Sequence, residues 1–290
     1  MTSAIPADVQ KGVLKILNTH STTIITNYVP CSGGCINSGG KITTSASRYF
    51  LKWNDTFKFP RMFESEAKGL RLLKSTNTVA IPSVVGHGIE GAFQFLLLEW
   101  IEASHRSQDF FIHLGDQLAA LHKITSGMAG LDHNNFIGSL PQINSQAKSW
   151  IEFFITRLES QIKILPQSDH RLNALFESLC KELPSLLVEE PHSLLHGDLW
   201  NGNVIITATG QPCLIDPAVY FGNREIEIAF TLLFGGFDDA FYSSYRQGFP
   251  LQKGFQERVP IYNLYPLLVH ANLFGGSYLS QVKSILKRYA

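Results

Sequence analysis

The sequence predicts an α+β protein in two parts, strand-rich over residues 1–102 and mainly helical over residues 103–290. Three observations lead there. β-Branched and aromatic runs at residues 22–29, 41–44, 48–53 and 93–99 are separated by turns rich in Gly, Pro and Ser. From Phe110 onward, apolar residues recur mostly at helical spacing. Between the helical stretches lies a short polar turn, Leu195-His196-Gly197-Asp198-Leu199-Trp200-Asn201-Gly202-Asn203, with apolar runs on either side.

That turn places a carboxylate, Asp198, five residues before an amide, Asn203. The β-rich runs 204–207 and 212–215 flank Ala208-Thr209-Gly210-Gln211, a hairpin signal that returns the chain to Asp216. Phosphoryl transfer from a nucleotide needs a carboxylate near the attacking hydroxyl, and hard oxygen ligands for Mg²⁺. Asp198, Asn203 and Asp216 supply that set, with Asn203 and Asp216 as the metal ligands. Singly, each has a plainer reading as turn former, left-handed residue or cap. Together, H-x-D-L-x-x-x-N, a hairpin and then Asp follow the order of protein-kinase-like enzymes.

His196-Gly197-Asp198-Leu199-Trp200-Asn201-Gly202-Asn203, Ile215-Asp216-Pro217-Ala218, Gly222-Asn223-Arg224-Glu225 and Leu233-Phe234-Gly235-Gly236-Phe237 resemble the fructosamine kinase, or ketosamine kinase, family. Its relatives are the aminoglycoside and choline phosphotransferases. His-Gly-Asp with a downstream Asn and Asp is common to all of them; Trp200, Asp-Pro-Ala and the 233–237 stretch narrow the choice. Resembling segments run from about Gly33 to Tyr278. The resemblance implies a two-lobe protein-kinase-like fold with an antiparallel-sheet N-lobe and a mainly helical C-lobe. It implies ATP and Mg²⁺ in the cleft, and γ-phosphoryl transfer to the 3-hydroxyl of a ketosamine such as a ribulosamine or fructosamine.

In chain order, residues 5–18 have helical spacing and no visible chemistry. The strand at 22–29 breaks at 30–40, where Gly33 and Gly34 form a turn able to lay backbone N–H groups over phosphates. Lys52 stands opposite Leu51 and Trp53 by strand alternation. By resemblance it holds the nucleotide phosphates. Residues 63–74 read as a helix offering Glu64 and Glu66. Glu66, in Glu66-Ala67-Lys68-Gly69-Leu70, matches the family's lysine partner, whereas Glu64 suits a solvated face. Residues 81–83 and 86–88 read as turns. Glu99, Trp100 and Ile101 lead out of the 93–99 strand into a hinge whose backbone would recognise adenine.

The helix at 110–124 carries His122, read as a core histidine. Residues 131–144 read as a turn-rich insertion, and helices at 145–164 and 171–187 as scaffold without convergent polar groups. A helix near Arg224 arrives within eight residues of Asp216, leaving no activation segment on which a protein substrate could dock. Gly197 occupies the place of the arginine that pairs with a phosphorylated activation loop in protein kinases. Residues 258–290 read as aromatic helices. Trp200, two residues after Asp198, is expected to cover the apolar face of a sugar, with packing beneath the loop as the alternative.

The chain has 24 Lys+Arg against 24 Asp+Glu, so neither nucleic acid nor a membrane surface is expected as a partner. A small-molecule or protein-attached ketosamine fits better. With no leader-like start and no long apolar run, a cytoplasmic protein is expected. The four cysteines are too scattered for a disulfide framework. Cys35, beside the glycine turn, is expected to make activity thiol-sensitive. The sequence departs from the family at Glu227, where an aspartate normally braces the catalytic turn. The rivals are an aminoglycoside or choline kinase and an inactive nucleotide-binding scaffold.

Overall fold

The structure is a computed structural model that describes residues 5–18, 23–31, 37–166 and 169–289. Gly33, Gly34 and Cys35 lie outside the described residues. Two compact units divide the chain: residues up to Gln108 with Ile205–Asp216, and Asp109–Val204 with the residues from Pro217 onward.

The first unit begins with α1 (Ala7–Leu17), β1 (Ile25–Pro30), β2 (Ser38–Thr44), β3 (Arg48–Asp55), α2 (Met62–Ser75), β4 (Val84–Glu90) and β5 (Phe93–Glu99). The strands form one antiparallel sheet in the order β1-β2-β3-β5-β4. Ile5, Val9 and Val13 pack with Ile42, Leu51, Trp53, Phe95 and Leu97 into one core cluster. Each such aliphatic side chain, once fully buried, contributes about 2 kcal/mol. Alternation turns Lys52 to the other face of β3, toward α2.

In the second unit, α3 (Phe110–His122) is followed by β6 (Thr125–Ser126), β7 (Asn135–Ile137), β8 (Leu140–Gln142), α4 (Trp150–Lys163), α5 (His170–Leu186) and β9 (His192–Leu195). The hairpin of β10 (Val204–Ile206) and β11 (Pro212–Leu214) then returns to the first unit. Leu214 N donates to Ala80 O at 2.9 Å, and Ser107 N donates to Gly210 O at 3.1 Å. Those bonds fix the strand that delivers Asp216. The second unit resumes with β12 (Tyr220–Gly222), α6 (Glu225–Leu233), α7 (Asp239–Gly248), α8 (Phe255–Tyr262), α9 (Leu264–Phe274) and α10 (Ser277–Tyr289). β9 is the middle strand of the sheet β12-β9-β6. Helices α3 and α7 approach closely at Gly115, where a Cβ would stand 2.5 Å from Phe241 O. This brings Tyr245 against His122.

Several sequence expectations are corrected. Residues 86–88 are not a turn but the middle of β4, because Gly86 and Gly88 admit Ile16 and Phe95 side chains where a Cβ would clash. The break after β1 is shorter than read, since Ser38, Gly39 and Gly40 already pair with β3. The insertion at 131–144 contains the β7–β8 hairpin. Helix α4 starts only at Trp150, capped by Ser149 Oγ, and it does carry a buried polar group, Arg157. The Arg157 guanidinium stacks on Tyr220 and Phe153 and donates to Asn144 Oδ1.

Candidate active site

In the first unit, Lys52 Nζ donates to Glu66 Oε1 at 2.8 Å and to Asp216 Oδ1 at 2.5 Å. The lysine side chain is 8 % exposed and that of Glu66 12 %, whereas that of Asp216 is 44 % exposed. Burial by itself would lower the Lys52 pKa, but the adjoining Asp216 and Glu66 carboxylates outweigh it and raise it above the ordinary lysine value. The result is a permanent cation inside the sheet face. Asp216 has φ +55°, a left-handed conformation that costs a non-glycine residue about 1 kcal/mol. Glu64 faces outward and pairs with Arg61 and Lys68.

The register places Gly39 opposite Lys52, so the arm leaving the glycine-rich stretch runs alongside the lysine. Glu99 ends β5 with its N–H donated to Ser83 O at 2.9 Å and its carboxylate accepting from Ser83 N and Oγ. Its polar groups are thus engaged with Ser83. Trp100 and Ile101 follow outside regular structure, and the Trp100 indole lies tilted on Phe50 with Lys41 Nζ 4.9 Å from its ring centroid.

In the second unit, buried β9 delivers the polar turn. Gly197 has φ +83°, and a Cβ there would stand 2.0 Å from Ala218 O, so glycine is the residue that fits. Ala218 N donates to His196 O at 2.9 Å, closing the turn from the opposite side. Asn203 Nδ2 donates to Asp198 O at 2.7 Å and to Asp198 Oδ2 at 3.0 Å. Leu199 anchors the turn in the core while the neighbouring Trp200 remains 42 % exposed, its indole packed over Gly202. Asn201 Nδ2 donates to Gly236 O at 2.8 Å, tying the turn to Leu233-Phe234-Gly235-Gly236-Phe237.

Beneath the turn, Glu227 Oε1 accepts Gly197 N at 2.6 Å and Oε2 accepts His196 N at 3.1 Å. One glutamate carboxylate therefore reaches both amides. Burial pushes the Glu227 pKa up, but the hydrogen bond to His122, with help from Gly197 N–H, holds it below the ordinary value. His122 is fully buried, as a core histidine should be, with Nε2 2.9 Å from Glu227 Oε2 and Nδ1 2.8 Å from Tyr245 Oη. Tyr245 is a residue that sequence reasoning missed, because it stands 123 positions from His122 and carries no local motif.

The donor chemistry suits Mg²⁺ and a nucleotide. In the second unit, Asn203 spends its amide N–H on Asp198, so its carbonyl oxygen is the side-chain atom able to ligate a hard cation; in the first unit, Asp216 has a partly exposed carboxylate of the same hard-oxygen type. Among the described residues no cluster of three or more His, Cys, Asp or Glu could hold a metal. Lys52 offers phosphate a fixed charge. Among the described residues no helix is long and apolar enough to cross a membrane.

Known proteins match this picture. The fructosamine kinase family model covers residues 10–290. A Synechocystis protein named "Probable ketoamine kinase" is 37% identical over 273 residues, covering 89% of this chain and 88% of that one. The rice (Oryza sativa subsp. japonica) chloroplastic protein-ribulosamine 3-kinase is 38% identical over 283 residues, 94% of this chain and 82% of its own. A crystal structure from Haemophilus somnus, of a protein described as a candidate fructosamine-3-kinase, superposes with a TM-score of 0.89 at 30% identity, over 97% of this chain and 98% of that one. The fold is protein-kinase-like, and the chain belongs to the fructosamine kinase family.

Proposed function

We propose that this protein is an ATP-dependent ketosamine kinase that phosphorylates the sugar 3-hydroxyl of a ribulosamine or fructosamine, free or protein-attached. Family membership supports the substrate class. The observation that carries the chemistry is the Asn203–Asp198 clamp: the amide bonds both the backbone oxygen and Oδ2 of Asp198 and so fixes the carboxylate that meets the acceptor.

Asp198 orients the acceptor hydroxyl and takes its proton as the new O–P bond forms. Lys52 binds phosphate oxygens, with Glu66 keeping its ammonium in place. Asn203 and Asp216 are the Mg²⁺ ligands. Bound Mg²⁺ supplies charge neutralisation of the phosphate oxygens. The backbone of Trp100 and Ile101 serves adenine, with Glu99 at the strand end and Gly33 and Gly34 at the phosphates. Trp200 covers the sugar face. Helix α6 begins at Glu225, nine residues after Asp216, so no activation segment intervenes.

An ATP-consumption assay over a panel of ribulosamines, fructosamines, aminoglycosides and choline tests the reading. Turnover of a ketosamine is expected. Robust turnover confined to an aminoglycoside or choline, or none with any acceptor, overturns it.

A further inference from the structure

Glu227 accepts both His196 N and Gly197 N with one carboxylate, so its side chain must be held in the arrangement that reaches both. The structure assigns that task to a one-directional chain of hydrogen bonds from Arg224 through Tyr245 and His122 to Glu227, which makes His122 and Tyr245 positioning residues for the catalytic turn. The inference rests on the proposed kinase function only for its kinetic readout.

The direction follows from donor and acceptor inventories. Arg224 has only donors, and its Nη1 lies 3.2 Å from Tyr245 Oη, so the phenol oxygen accepts there. Glu227 also accepts the two backbone N–H groups, and its pKa is held low, so its carboxylate is ionised and His122 Nε2 must carry a hydrogen toward it. In neutral imidazole Nδ1 is then the acceptor, which the Tyr245 hydroxyl satisfies at 2.8 Å. Guanidinium, phenol, imidazole and carboxylate thus align head to tail, an arrangement in which each bond polarises the next. His122 meets the titratable groups Glu227 and Tyr245; His196 acts on Glu227, and Arg224 with its partner Glu190 stands behind Tyr245. Arg224 is itself pinned by Phe249 O, Pro250 O and Glu190, so the far end of the chain is anchored. Tyr245 and His122 are 1 % and 0 % exposed, which leaves solvent no route to replace a lost partner.

Tyr245→Phe removes the hydroxyl that fills Nδ1 and frees the imidazole to turn over or shift its proton. Glu227 then samples other rotamers and the turn loosens by fractions of an ångström, enough to cost a rate about tenfold or more. Nitrogen-15 NMR of histidine-labelled protein is expected to show wild-type His122 as the Nε2–H tautomer near neutral pH. A folded Tyr245→Phe variant is expected to lose kcat about tenfold with KM for ATP and ketosamine within twofold. In a Glu227→Asp background the same substitution is expected to cost less than twofold, because the shortened carboxylate no longer meets His122. Wild-type His122 protonated on Nδ1, whether or not Nε2 is also protonated, overturns the inference, as does a folded Tyr245→Phe variant with kcat within twofold of wild type. If Tyr245→Phe does not fold, the wild-type tautomer decides alone. The NMR readout needs no substrate, so absence of ketosamine turnover would sink the proposed function without touching the hydrogen-bond chain.

Discussion

Asn203 and Asp198 are joined twice by a single amide nitrogen, which reaches the backbone oxygen at 2.7 Å and the side-chain Oδ2 at 3.0 Å. The carboxylate cannot rotate without breaking that clamp, so its geometry is set before an acceptor arrives. Asp198→Asn is expected to reduce turnover by 10²-fold or more, the usual range of a proton-transfer role being about 10²–10⁴-fold, with the fold and nucleotide affinity near wild type. Asp216→Asn is expected instead to weaken Mg²⁺·ATP binding. Retention of more than about a tenth of the rate by Asp198→Asn would remove the proton role.

Lys52 satisfies the buried Glu66 carboxylate, so Lys52→Met is expected to cost stability as well as function. Loss of one partner of a buried pair costs about 3 kcal/mol, and KM for ATP should rise. The double variant Lys52→Met/Glu66→Leu is expected to recover much of the stability and none of the ATP affinity. Equal recovery of both in denaturant and kinetic titrations would separate Lys52 from the phosphates.

Glu227 makes stability pH-dependent. Its folded pKa lies below the unfolded value of about 4.3, so its stabilisation is fully present above that pH and fades as pH falls through the folded pKa. Glu227→Gln is expected to lose about 2 kcal/mol near neutrality, the worth of hydrogen bonds to a charged acceptor, and progressively less below about pH 4. Urea midpoints from pH 7 to pH 3 would show it; a difference constant across that range would contradict the assignment.

The exposed Trp200 indole makes an acceptor-side prediction. Trp200→Ala is expected to raise KM for a ketosamine strongly and KM for ATP little, the signature of lost uniform binding to one substrate. Equal effects on both would point to general disturbance of the turn.

Most of the architecture was legible because it is local. Alternation in β3 turned Lys52 away from Leu51 and Trp53, and the resemblance of Glu66-Ala67-Lys68-Gly69-Leu70 to the family pattern separated Glu66 from the solvated Glu64. The polar turn was legible because Gly197, Asp198 and Asn203 fall within one short stretch of chain. What escaped depends on close approach between distant segments. Gly86 and Gly88 read as turn formers, yet serve a strand packed against Ile16 and Phe95. Arg157 read as a scaffold residue because its aromatic stack comes partly from Tyr220, 63 positions away, and its acceptor Asn144 from outside α4. Tyr245 meets His122 only because α3 and α7 cross at Gly115. The fitness of Glu227 for its task was equally invisible, since its reach is decided only by the positions of His196, Gly197 and His122.

The central claim is phosphorylation of a ketosamine at its 3-hydroxyl, and identification of the product tests it most directly. Protein incubated with ATP, Mg²⁺ and ¹³C-labelled ribulosamine or fructosamine is expected to give one new phosphate monoester, with ³¹P–¹³C coupling at C3 and ADP in equal amount. Phosphate on another carbon, or ADP formed without any sugar phosphate, would contradict the account.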